Sequence, residues 1–376
     1  MFNYLQHLEV CDATGDAICT KVHFKNLKLN FLFQIFHSSD QFVLESGKVM
    51  PQLHLGYTLF GKMNANKSNV VWVFHALTAN SNPVEWWPGV VGEGCVINEQ
   101  QHFIICVNMP GSCYGSINPL TLQQESSKPY YLDFPLFTTR DMIRAYQLLK
   151  THFGIEKIFL GIGGSMGGQQ LLEWAIEEPS LFEHIVPIAT NAKHSAWGIA
   201  FNSTQRLCIE TDATWNTPTE IAGINGMKTA RAVALISYRN YATYQFQEGI
   251  IDQALPIDKQ EFKATTYQQY QGEKLAKRFN AYSYWYLSKG MDLHDVGRDR
   301  SGVIAALQQI EAQTLVIGIS SDILFPVQEQ ALLQQHISNA NLAVIDSYYG
   351  HDGFLLEHEK IGSLIKVFIE EEIAAI

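Results

Sequence analysis

Positive charge is scarce in this chain. Lys and Arg number 26 against 37 Asp and Glu, a formal net charge of −11 over 376 residues. A net negative surface repels phosphate backbones and anionic lipids, so neither nucleic acid nor a membrane is expected as a partner. An anionic substrate would need a local basic site. Long apolar runs are also missing. LNFLFQIF at 29–36 falls far short of the ~20 residues that span a bilayer. The opening MFNYLQHLEV is not a basic segment followed by an apolar stretch, so no secretory signal is read and a cytoplasmic location is expected. Cysteine is sparse: six residues, at 11, 19, 95, 106, 113 and 208, with no C-x-x-C pair. That spacing excludes a disulfide framework in a chain of this size. There is no H-E-x-x-H and no Cys/His cluster with zinc spacing, so no metal is expected. Neither G-x-x-x-x-G-K-[ST] nor G-x-G-x-x-G occurs in a phosphate-binding register, and there is no internal repeat or low-complexity tract.

What is present is an ordinary globular balance, 47% hydrophobic and 17% charged, over a length that suits one large domain or a core with an insertion. NVVWVFHA (69–76), HFIICVNMPG (102–111), KIFLGIGG (157–164), HIVPIAT (184–190), QTLVIGISS (313–321) and NLAVIDSYY (341–349) are apolar runs of strand length. RDMIRAYQLLKTHFG (140–154) and QQLLEWAIEEP (169–179) have helical spacing with Gly and Pro stops. Buried strands alternating with helices predict an α/β fold: a mostly parallel central sheet flanked by helices. Residues 191–305 break the rhythm. They are rich in Gln, Tyr, Asn and Arg, with no strong strand run, and read as an inserted helical lid. The predicted organisation is an extension of unassigned role over 1–40, a first part of the core over 41–190, the lid over 191–305 and a second part of the core over 306–376.

The stretch FLGIGGSMGGQQLLEWA (159–175) carries Gly163-Gly164-Ser165-Met166-Gly167 between a strand and a helix. G-x-S-x-G in that setting is the nucleophile elbow of α/β-hydrolases. A side chain at either flanking glycine would block the sharp turn, and the helix N-terminus favours developing negative charge. A serine needs a base to take its proton. The fold places an acid and then a histidine after late strands, in the order Ser, Asp or Glu, His. Asp322 follows TLVIGISS and His351 follows LAVIDSYYG, so His351 is the candidate base and Asp322 the residue that orients it. Asp346, within the strand-like run, and Asp352, adjacent to the histidine, are rival acids. Met166 and Leu77 are the candidate oxyanion-hole N–H donors, Leu77 from the loop after an early strand. His75 reads as a satisfied histidine at a strand end, and the aromatic YSYWY (282–286) as packing.

FHALTANSN, NMPGSCYGS, TTRDMIRAYQLL, GGSMGGQQLLEWA, SAWGIAFNSTQR, ISSDILFP and GHDGFLLE together resemble the homoserine O-acetyltransferases of methionine biosynthesis. The resemblance covers about residues 41–370. It implies an acetyl-serine intermediate on Ser165, acetyl-CoA as co-substrate with no permanently bound cofactor, and L-homoserine as acceptor. It further implies a substrate-carboxylate contact at Arg206, an amine contact at Asp352, and a homodimer through the lid helices. Without it, Arg206 reads as a solvated helix residue and Asp352 as a turn residue. Pro110, Ser112, Ile117 and Asn118 depart from the family's usual block, and Lys193 and His194 have no counterpart role. A succinyl donor, a serine acceptor or a plain serine esterase keeps the same three residues.

Overall fold

The computed structural model describes residues 32–246 and 248–374. Eight strands form one sheet: β1 (Leu32–His37), β2 (His54–Phe60), β3 (Val70–Phe74), β4 (Phe103–Val107), β5 (Ile158–Gly164), β6 (Phe182–Ile188), β7 (Gln313–Ile319) and β8 (Ala340–Ile345). Their spatial order is β1-β2-β4-β3-β5-β6-β7-β8. β1, β2 and β4 pair antiparallel, and every pairing from β4 through β8 is parallel. All five residues of β3 and of β4 are buried, because helices cover both faces. Successive side chains of β3 alternate between the two cores: Val70, Trp72 and Phe74 enter one, Val71 and Val73 the other.

One boundary read from sequence is corrected. β1 lies inside the 1–40 stretch that was set apart as an extension, yet it pairs with β2 along its whole length, Leu32 to Leu59 through His37 to His54. Its residues are only half-buried, which is why LFQIFH carried no core-strand pattern. Residues 1–31 lie outside the described residues.

The main helices are α1 (Thr139–His152), α2 (Met166–Glu177), α3 (Ala196–Glu210), α4 (Ile224–Tyr238), α5 (Lys263–Ala276), α6 (Ala281–Asp292), α7 (Val327–His336) and α8 (His358–Ala374). α1 starts at a capping box, Thr138 receiving the Asp141 N–H while the Asp141 carboxylate receives that of Thr138. α3 through α6 occupy the interval between β6 and β7, where the chain leaves the sheet. An ion-pair network ties the end of that interval to the core. Glu45 meets Arg140 and Arg298, and Glu173 meets Arg140 and Arg300.

Strand register decides where the chemistry sits. Phe74 pairs with Gly163, Gly164 with Ile188, Ile188 with Ile317, and Ile319 with Ile345. The parallel strands therefore end together, and the loops after β3, β5, β6, β7 and β8 emerge along one sheet edge.

Candidate active site

Ser165 is the single residue between β5 and α2, with φ 57° and ψ −126°. A non-glycine residue held there costs roughly 1–3 kcal/mol, so the surroundings must enforce it. They do so by proximity. A Cβ on Gly163 would lie 2.5 Å from the Gly167 backbone, and one on Gly167 would lie 2.2 Å from Phe74 O. Helix, strand and neighbouring strand thus touch through glycines, and the serine is the residue left at the apex. Its side chain faces a tight site, with 6% of the residue exposed.

His351 stands on a single helical turn (Gly350–Asp352) just past β8. Its Nε2 is 2.9 Å from Ser165 Oγ, and its Nδ1 is 2.6 Å from Asp322 Oδ2. The other oxygen of Asp322 accepts the N–H groups of Leu324 at 2.8 Å and Phe325 at 2.9 Å. A carboxylate so held accepts a hydrogen bond from Nδ1–H, which leaves Nε2 as the acceptor facing the serine hydroxyl. Phe325 stacks on the imidazole at 5.0 Å, and Phe354 and Tyr238 flank it. The rival acids are engaged elsewhere. Asp346 accepts from Ser320 Oγ, and Asp352 pairs with Arg239 at 3.0 Å.

Met166 opens α2, and the first N–H groups of a helix have no partner within it. Leu77 lies two residues beyond His75, in the loop that begins where Phe74 abuts Gly167. His75 itself is fully buried. Its Nε2 accepts the Met109 N–H at 3.0 Å and its Nδ1 meets Ala76 O at 2.9 Å. Burial pushes its pKa down to about 4.

Arg206 does not have a free guanidinium. It is buried on α3 against Asp292 of α6, with Ser203 and Ser288 as further partners. Asp292 in turn accepts from Asn202, whose amide also faces His194. Asp292 thus compensates the Arg206 charge from one guanidinium nitrogen, Nη2. Among the described residues, Arg231 on α4 has no carboxylate partner. Its guanidinium lies 5.3 Å above the ring of Tyr238, the residue that flanks His351. Burial pushes the pKa of that tyrosine up, opposed by the charge of Arg231 and reinforced by that of Asp352. Nothing in TARAVALISYR distinguishes Arg231 from a solvated helix residue, so sequence reasoning passed over it.

A profile of the alpha/beta hydrolase fold matches residues 69–357. The homoserine O-acetyltransferase of Cyclobacterium marinum is 44% identical over 346 residues, covering 92% of this chain and 97% of that protein. The chain belongs to the homoserine O-acetyltransferase family. Its fold is shared more widely than that name. A crystal structure of esterase E22 superposes with a TM-score of 0.82 at 23% identity, covering 90% of this chain and 100% of the esterase. The homoserine O-acetyltransferase of Bacillus anthracis gives 0.81 at 22%, covering 90% and 97%. The same architecture is therefore found in a protein named an esterase and in one named a homoserine O-acetyltransferase.

One perturbed carboxyl escaped the sequence. Glu329, near the start of α7, lines a surface cavity of about 460 Å³ together with Ser195, Trp197, Asp322, Ile323 and Pro326. Burial raises its carboxyl to about 7, opposed by hydrogen bonds from Asn191 and Ser195 and reinforced by the charge of Asp322. Among the described residues, no group of three or more His, Cys, Asp or Glu side chains is placed to hold a metal ion, and no helix is long and apolar enough to cross a membrane.

Proposed function

We propose that the protein transfers acetyl from acetyl-CoA to the side-chain hydroxyl of L-homoserine, in two half-reactions through acetyl-Ser165, as a step of methionine biosynthesis. The observation that carries the reading is the hydrogen-bonded line from Ser165 Oγ through His351 to Asp322 in a chain of this family. Ser165 Oγ attacks the thioester carbonyl as His351 Nε2 takes its proton. The N–H groups of Met166 and Leu77 hold the oxyanion. The carbonyl re-forms, the C–S bond breaks, and His351 returns the proton to the departing CoA thiolate. His351 then takes the proton of the homoserine hydroxyl, whose oxygen attacks the acetyl carbonyl. Collapse releases O-acetylhomoserine, and the proton goes back to Ser165. The Asp322 carboxylate keeps the imidazole in the required tautomer throughout.

The acceptor is a zwitterion, and the surroundings of His351 offer one group for each end. Asp352 takes the ammonium, and Arg231, rather than the neutralised Arg206, takes the carboxylate. Asp352 is shared with Arg239, so the amine competes for a carboxylate that is already partly compensated. The helices α3 to α6 act as the lid that keeps water from the acyl-enzyme. The enzyme is cytoplasmic, works as a homodimer through those helices, and needs no metal or permanently bound cofactor.

The test begins with acetyl-CoA alone and looks for one acetyl group on Ser165 by mass spectrometry. The acyl-enzyme is then offered homoserine, serine and water. Homoserine should clear it fastest. Clearance by water faster than by either amino acid would make the protein an esterase, and acylation by succinyl-CoA alone would change the donor. Ser165→Ala should abolish acylation, a loss of up to about 10⁶-fold.

A further inference from the structure

We propose that His75 and Thr190 are positioning residues for the oxyanion hole, each aiming one of its two N–H donors by holding the carbonyl of the same peptide unit from behind. The inference rests on the reading of Ser165 as nucleophile and of Leu77 and Met166 as donors.

In a planar trans peptide, C=O and N–H point in opposite directions. No cis peptide occurs among the described residues. Fixing the carbonyl therefore fixes where the amide hydrogen points. The unit that carries the Leu77 N–H has the Ala76 carbonyl, which lies 2.9 Å from His75 Nδ1. The tautomer is settled by the far side of the ring, where Nε2 accepts the Met109 N–H. A neutral imidazole that accepts at Nε2 carries its hydrogen at Nδ1, so it donates to Ala76 O. Burial keeps the ring neutral, with a pKa of about 4. The unit that carries the Met166 N–H has the Ser165 carbonyl. That oxygen already receives helix N–H groups from Gly168 and Gln169, and Thr190 Oγ1 adds a third donor at 2.8 Å. Neither His75 nor Thr190 is exposed at all.

The peptide units adjacent to these two, His75–Ala76 and Met166–Gly167, are also tied to each other. Gln170 Nε2 lies 3.3 Å from His75 O and 3.1 Å from Met166 O, and its Oε1 accepts from Tyr146 at 2.8 Å. A donor on each carbonyl also polarises the amide it belongs to, strengthening the N–H on the other side. A buried histidine and threonine that merely satisfy their own polar atoms would show the same burial. They would have no reason to choose the carbonyls of these two peptide units.

The experiment follows acylation by p-nitrophenyl acetate, which needs no amino-acid acceptor. The variants are Thr190→Val, which deletes the hydroxyl and keeps the shape; His75→Gln, which loses the Nδ1 donor; and His75→Asn, whose amide nitrogen replaces it. Thr190→Val and His75→Gln should slow acylation at saturating ester about tenfold or more, with half-saturation within about twofold of the parent. The carbonyl stretch of the isotope-labelled acetyl-enzyme should move to higher frequency in both, as its hydrogen bonds weaken. His75→Asn should recover most of the rate. Parental rate and carbonyl frequency in Thr190→Val would overturn the proposal, as would equal losses in the two His75 variants. If the His75 variants do not fold, Thr190→Val decides alone. Acylation that persists in Ser165→Ala would instead sink the reading of the nucleophile, a separate outcome.

Discussion

His351 Nε2 lies 2.9 Å from Ser165 Oγ, although 186 residues separate the two in sequence. The contact spans the inserted helices, because the serine follows β5 and the histidine follows β8. It exists only because parallel strands of one sheet deliver both loops to the same edge. Asp322, between them in sequence, completes the line from the loop after β7.

Asp322→Asn tests that line. The amide still accepts the Leu324 and Phe325 N–H groups through its oxygen, so the loop should keep its shape. Its NH₂ would face Nδ1 and force the opposite tautomer, placing a hydrogen on Nε2. Acylation should fall by about 10⁴-fold with little change in thermal midpoint. A loss below tenfold would mean that the carboxylate does not orient His351.

Arg206 and Arg231 should separate cleanly. Arg206→Ala leaves Asp292 as an unpaired charge where both partners are at most 7% exposed, a loss of about 3–5 kcal/mol that lowers the melting midpoint. Arg231→Ala should melt like the parent, acylate like the parent, and need about ten- to a hundredfold more homoserine for half-saturation. The reverse pattern, with Arg206→Ala stable and weak for homoserine, would return the carboxylate contact to Arg206.

Glu329 makes stability depend on pH in a direction opposite to an ordinary carboxylate. Its folded value of about 7 lies above the usual 4.5, so the folded state holds the proton more tightly. Stability from this group is complete below the unfolded value and is lost as pH rises toward 7. Glu329→Gln keeps an acceptor for Asn191 and removes the charge. It should melt with the parent near about pH 4 and above the parent near about pH 8. Equal midpoints at both would show that the carboxyl is not perturbed.

Gly167→Ala should damage catalysis more than stability. The added Cβ meets Phe74 O at 2.2 Å, which pushes apart the helix start and the loop that carries Leu77. Overpacking of this kind costs about 1–3 kcal/mol, survivable in a core of this size, while the two N–H donors lose their common focus. Circular dichroism melts alongside acylation rates check it; a variant as active as the parent would show that the approach is not needed.

The central sheet was readable because its strands are buried on both faces and appear as unbroken apolar runs. β1 was missed for the opposite reason: at the antiparallel edge its residues are half-buried or exposed, and the apolar LFQIFH shows neither an unbroken buried run nor a period-two alternation. The elbow was readable because steric exclusion at Gly163 and Gly167 acts over a few residues and leaves a fixed spacing. His75 was read as a satisfied histidine, and only its two partners reveal which carbonyl it serves.

The sequence by itself determined the order of strands and helices and the glycine-framed serine, since burial pattern and local sterics are written in neighbouring residues. Which acid faces His351, and which arginine still has a charge to offer, were decided by tertiary packing. Asp322, Asp346 and Asp352 are chemically alike, as are Arg206 and Arg231. What separates them is the partner that a distant element brings: Asp292 from α6 pairs with Arg206, whereas among the described residues Arg231 has no carboxylate partner and lies over the ring of Tyr238. A side chain's electrostatic state belongs to its surroundings, and those surroundings do not exist until the helices pack.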